Sequence, residues 1–127
     1  MKLNKVILAS ALSLTAVPAI AAVAPSVASA ACDYREICFY QDDNGGGGVY
    51  ETQSRAQSHS NLYGSNGYAV RNNVDSVRNR DSSCDIKVVD DRGINPDDVD
   101  TVPNDGLLKN LKSSVDNEND RHEKGSC

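Results

Sequence analysis

The chain has no tryptophan, one phenylalanine and one methionine, and its 13 basic residues are outnumbered by 18 acidic ones. The missing basic surplus excludes sequence-independent binding to a phosphate backbone, so no nucleic-acid partner is expected. There is no His-Glu-x-x-His zinc motif and no Gly-x-Ser-x-Gly nucleophile elbow. The glycine run Gly45-Gly46-Gly47-Gly48 lacks the Gly-Lys-Ser/Thr ending of a phosphate loop, and Asp42 and Asp43 beside it would repel phosphate. Asp42/Asp43 and Asp90/Asp91 are adjacent pairs, which point apart in a strand or turn and are poorly placed for acid–base cooperation. A chain of 127 residues leaves room for one small domain and none for a separate cofactor domain. The expectation is a protein without catalytic residues and without a required cofactor.

The first 30 residues read as an export signal. Lys2 and Lys5 precede a mostly apolar stretch, Val6 to Ala24, and Ala28-Ser29-Ala30 supplies the small residues of a cleavage site before Ala31. Pro18 and the interspersed Ser10, Ser13 and Thr15 argue against a membrane anchor. Residues 31–127 then form a single secreted domain with no membrane association, expected as a monomer. They carry 11 basic and 18 acidic residues, a net charge of −7.

All four cysteines, Cys32, Cys38, Cys84 and Cys127, lie in this exported part, and an even count in a small secreted chain reads as two disulfides. Three connectivities are open. Cys32–Cys38 with Cys84–Cys127 is preferred, and loop-closure entropy gives these roughly 2 and 4 kcal/mol. The spacing is wrong for a zinc knuckle and no histidine is near either Cys32 or Cys38. His59 and His122 stand in polar surroundings and are expected on the solvated surface.

Two landmarks recur in order. Ile37-Cys38-Phe39-Tyr40 followed by Gln41-Asp42-Asp43-Asn44-Gly45 matches Ile86-Lys87-Val88-Val89 followed by Asp90-Asp91-Arg92-Gly93. Asn72 to Asn79 matches Asn110 to Asn117 as N-x-x-[D/S]-S-V-x-N. This implies two unequal motifs, about 32–82 and 83–117, with a charged tail over 118–127. Short β-prone runs at 37–40, 48–52, 68–71, 76–78, 86–89 and 99–102 are punctuated by glycine, asparagine and aspartate, which predicts an all-β sandwich. Leu107, Leu108, Leu111 and Val115 have helical spacing, for which a short helical turn at most is expected. The aromatics, from Tyr34 to Tyr68, all fall in the first motif and read as core.

Cys38-Phe39-Tyr40-Gln41-Asp42-Asp43-Asn44-Gly45-Gly46 resembles the opening of a βγ-crystallin Greek key. Asn72 to Val77 and Asn110 to Val115 resemble its Asn-Asp-x-x-Ser-Ser segment. With the export signal, the Cys32…Cys38 start and the Val102-Pro103…Ser113-Ser114-Val115 end, the chain resembles the bacterial secreted peptidase inhibitors of that fold, over about residues 32 to 117. The resemblance implies a βγ-crystallin-like Greek-key β-sandwich of two unequal motifs, stapled by two disulfides. It also implies inhibition of a metalloproteinase and a reactive bond between a disulfide cysteine and an apolar residue. Cys38-Phe39 is the one such bond, although Phe39 falls in the motif's strand. For calcium, the resemblance points to Asn72, Asp75 and Ser76 in the first motif and Asn110, Ser113 and Ser114 in the second. Arg71 and Lys109 occupy the first ligand position of each segment and oppose a cation. The leading expectation is a secreted inhibitor of an extracellular peptidase acting through a rigid loop. Its rivals are a structural module, calcium-modulated in one form, and an antimicrobial toxin-like protein.

Overall fold

The computed structural model describes residues 32–127, apart from positions 62 and 65. The export signal therefore lies outside the described residues. Eight strands follow in order: β1 (Ile37–Tyr40), β2 (Val49–Thr52), β3 (Gln57–Ser58), β4 (Ser76–Asn79), β5 (Ile86–Asp90), β6 (Asp98–Val102), β7 (Leu108–Asn110) and β8 (Arg121–Lys124). They form two four-stranded antiparallel sheets, ordered β2-β1-β4-β7 and β3-β8-β5-β6. The chain is all-β, as expected, with one short 3-10 turn at Asp43–Gly45. Each half sends its third strand to the other half's sheet: β3 pairs with β8, and β7 pairs with β4. Neither half completes its sheet alone.

Strand β1 explains this arrangement from the sequence upward. Alternation sends Ile37 and Phe39 to one face and Cys38 and Tyr40 to the other, and all four are 0 % exposed. Ile37 and Phe39 join Val77, Ile86, Val88 and Val102 in the inter-sheet core. Cys38 and Tyr40 form a second cluster with Cys32, flanked by Val49 and Leu108. Behind β1 the glycine run permits close approach: a Cβ on Gly48 would come within 2.9 Å of Tyr63.

Three strands, β3, β7 and β8, fall where none was expected, and Tyr68–Arg71 forms no strand. Residues 105–115 hold β7 and then hydrogen-bonded turns where a helical turn was expected. The tail is corrected too: β8 lies within it, so the second half runs to Lys124. In Arg121-His122-Glu123-Lys124 only His122 is fully buried, and the charged neighbours alternate outward. The second landmark is also out of register. The true partner of β4 is β8, 45 positions on, and the same left-handed kink precedes both strands, at Asn72 (φ 58°) and Asn117 (φ 56°).

His59 and His122 are not on the surface. They are 0 % and 1 % exposed, and their rings flank Phe39 at centroid distances of 4.8 and 4.9 Å. The proton positions follow from both ends of a hydrogen-bond chain. Val74 N–H donates to Asn119 Oδ1 at 3.0 Å, so Asn119 Nδ2 is the donor to Val70 O and to His59 Nδ1, the latter at 2.6 Å. His59 Nε2–H then donates to His122 Nδ1 at 2.9 Å, and His122 Nε2–H to Ser54 O at 2.8 Å. Every polar atom is used only if both rings are neutral. Burial first, and then the neighbouring His122, push His59 down to about 3. Burial also lowers His122, partly opposed by its bond to Ser54.

Below the ordinary histidine value of 6.5 the unfolded chain therefore binds more protons than the folded one. The histidine contribution to stability is complete above that pH and falls as pH drops, by up to about 1.4 kcal/mol per pH unit for each ring. Nitrogen-15 NMR should find both rings in the Nε2–H form at pH 8, with His59 not titrating down to pH 5 and His122 titrating below 6.5. A ring titrating near 6.5 in the folded protein would contradict the network.

Candidate functional site

Both cystines are formed, Cys32–Cys38 and Cys84–Cys127, and no described cysteine is free. The second ties the end of the chain to the start of β5, where Asp85 N donates to Ser126 O and Gly125 N to Asp85 O. The first closes a small loop at the edge of β1. Within it, Glu36 N donates to Asp33 O at 3.1 Å, which makes Asp33–Glu36 a tight turn with Tyr34 and Arg35 exposed at its tip. Arg35 N donates to Arg80 O at 2.9 Å and Arg80 N to Glu36 O at 2.8 Å, so the turn is bonded to the strand end beside it. Glu36 and Glu51 lie near Cys38 Sγ, but that sulfur is in a cystine and offers no thiolate to a metal.

The Cys38-Phe39 bond is a correction. Both residues are 0 % exposed and lie inside β1, paired on one side with β2 and on the other with β4. A peptidase could reach that bond only after the central strand of its sheet left the core. The alternation that makes Phe39 a core residue removes it as a reactive site.

The six calcium candidates separate into three groups. Ser76 is fully buried, its hydroxyl donating to Asp42 O at 2.7 Å and accepting from Gly45 N at 3.0 Å. Asn110, across from Ser76 in the β4–β7 register, accepts from Asn44 N at 2.9 Å. Both side chains hold the folded turn after β1. Asn72 provides the left-handed kink before β4, and Ser113 and Ser114 sit in the turn after β7. Asp75 differs: its Oδ1 is buried with no hydrogen-bond partner. Burial first, and then the Asp116 carboxyl, with Asp43 and Asp42 adding to it, push Asp75 up to about 7.

The 45-residue register shows what was hidden. Arg71 corresponds to Asp116, and Asp75 to Asp120. The same two positions meet twice. In one meeting Arg71 forms an ion pair with Asp120; in the other two carboxyl groups face each other, with no cation between them among the described residues. The left-handed φ shared by Asn72 and Asn117 is the backbone signal of this register, and matching on Ser-Val missed it.

Because the folded-state value of Asp75 lies above the unfolded one, it favours folding when protonated, and that contribution disappears as pH rises from about 4 to 7. Asp75→Asn should therefore melt higher than wild type at pH 8, with the difference shrinking toward pH 4. Equal melting temperatures at pH 8 would show that the carboxyl is not destabilised there.

No curated protein matches the sequence. The family model of peptidase inhibitor family I36 matches residues 26–95, more than half of the chain and all of β1 to β5. The match takes in the Cys32–Cys38 turn, the folded turn after β1 and the strand that receives it, and on that extent the chain belongs to peptidase inhibitor family I36.

Proposed function

We propose that the mature chain is a secreted, monomeric inhibitor of an extracellular peptidase, with a metallopeptidase as the target class, acting as a rigid body. Family membership supports the inhibitory role. The metallopeptidase class and the export route rest on the sequence resemblance and on the leader. The cystines and family favour an oxidising, extracellular setting. One observation carries the mode of action: the exposed tip of Asp33–Glu36 is held by a cystine and by paired backbone bonds. Ordering such a turn on binding costs little, because most of the entropy is already lost in folding. The purified secreted chain should inhibit a thermolysin-type metallopeptidase at micromolar concentration or below. No effect on that class, with inhibition of a serine or cysteine peptidase, would move the target and keep the inhibitor. Growth inhibition of bacteria without inhibition of any peptidase would favour the toxin-like reading.

A second reading, a calcium-responsive module, is favoured by the Asp75–Asp116 meeting. Carboxylates are the hard oxygen ligands that calcium takes. Asp75 and Asp116 would hold the ion, with Asp42 and Asp43 adding negative charge, and the ion would supply the positive charge that Arg71 supplies in the related pair. Millimolar calcium should raise the melting temperature of wild type more than magnesium does, and leave Asp75→Asn unmoved. Equal shifts in the two proteins would place any binding elsewhere.

A further inference from the structure

Two hollows flank the Asp33–Glu36 turn. One, of about 320 Å³, is lined by Arg35, Gln53, Arg55 and Asp81. The other, of about 170 Å³, is lined by Tyr34, Arg80, Asp81, Asn104, Asp105 and Gly106. Asp81 is the shared wall, and it is saturated. It accepts from Arg55 Nε at 2.7 Å and Arg55 Nη2 at 3.1 Å, and from the backbone N–H groups of Ser83 and Cys84, both at 2.9 Å. Arg55 is thus neutralised within the wall. The guanidinium of Arg35 has no carboxylate partner among the described residues. Arg80, on the wall of the smaller hollow, likewise has no carboxylate partner among them, and its guanidinium donates to Cys32 O.

The backbone sharpens the point. Arg35 has φ 74°, a left-handed conformation that favours glycine or asparagine. A bulky residue there is strained, and the cystine and two backbone bonds hold it in that conformation. Beside it Tyr34 is 66 % exposed, and Leu107, next to Gly106 at the rim of the smaller hollow, is 67 % exposed. Tyrosine and arginine are the side chains that most often dominate a protein–protein interface, and a pre-ordered turn presents them at low entropic cost.

Resting on the inhibitor reading above, we propose that this end of the molecule is the peptidase-binding surface. Tyr34 is its apolar anchor, received by a pocket of the peptidase, and Arg35 is its charged contact, paired with a carboxylate on the rim of the peptidase cleft. Arg35 is flanked on the turn by Asp33 and Glu36, so a carboxylate of the peptidase is favoured only where it meets the guanidinium directly, and that contact sets the docking orientation. The surface requires no cleavage of the chain, which accords with the burial of the Cys38-Phe39 bond.

The test is inhibition of a peptidase that the purified secreted chain inhibits, measured for wild type, Tyr34→Ala, Arg35→Gly and the control Ile94→Ala, whose side chain is fully exposed on the β5–β6 connection. Tyr34→Ala should raise the inhibition constant roughly 30-fold or more, and Arg35→Gly roughly 10-fold or more. Arg35→Gly should also melt at the same temperature as wild type or higher, since glycine relieves the left-handed strain. The Arg35→Gly effect should shrink as salt is raised. Ile94→Ala should inhibit like wild type. Unchanged inhibition by both Tyr34→Ala and Arg35→Gly, with wild type active, overturns this surface and leaves the inhibitor reading standing. If Arg35→Gly melts lower, Tyr34→Ala decides, because its side chain supports no core contact. Failure of wild type to inhibit any peptidase removes the inhibitor reading and this surface with it.

Discussion

Burial of β1 on both faces is the constraint around which the rest of the molecule is organised. A strand with one wet face would need only one covering layer. Here Ile37 and Phe39 require the opposite sheet, while Cys38 and Tyr40 require a second cover built from Cys32, Val49 and Leu108. The cystine is part of that cover. Its formation pulls residues 32–38 into a short loop, and the loop has no room for an extended chain, so it closes as a tight turn with Arg35 in a left-handed conformation. The strain at the tip is thus a consequence of how the core is sealed, and the exposure of Tyr34 and Arg35 follows from it.

The two halves share one plan with different electrostatics. The exchanged strands β3 and β7 interlock them, which brings repeat-related positions together at two places. One place is closed by the Arg71–Asp120 ion pair and the other leaves Asp75 facing Asp116. A similar asymmetry runs through the core. The first half contributes the aromatics Phe39, Tyr50 and Tyr63, whereas the second contributes only aliphatic residues and one buried histidine, His122. His59 comes from the first half and meets His122 across the pairing of β3 with β8, so the hydrogen-bond chain from Asn119 to Ser54 also joins the halves. Neutrality of both rings makes that joint sensitive to acid, while Asp75 acts in the opposite direction.

The residues announce some of this and conceal the rest. β1, β2, β5 and β6 are legible because β-branched or aromatic residues dominate them and turn residues bound them, whereas β4 offers only Val77 and is legible through the turn residues around it. β3 has two residues and no apolar side chain, and it exists because β8 offers it an edge. β8 reads as a charged tail, yet period-2 alternation in Arg121-His122-Glu123-Lys124 already separates the histidine from its charged neighbours. β7 was masked by leucines whose spacing suits a helix equally well. The second Asn/Ser segment misled because side-chain identity at Ser114-Val115 was matched, whereas the fold repeats a backbone kink at Asn117 followed by a strand. The all-β class was accessible; the acid pair was not, since it depends on that register.

On the proposed reading, the working surface is a by-product of how the central strand is covered: a sealed core, a cystine, a strained turn and two hollows around a saturated aspartate. The most direct measurement of that account is amide hydrogen exchange on the chain alone and in complex with a peptidase it inhibits. The account predicts new protection at residues 33–36, 80–81 and 104–107, with β1 equally protected in both states. Protection gained at the folded turn after β1 or at the β5–β6 connection, with residues 33–36 unchanged, would contradict it.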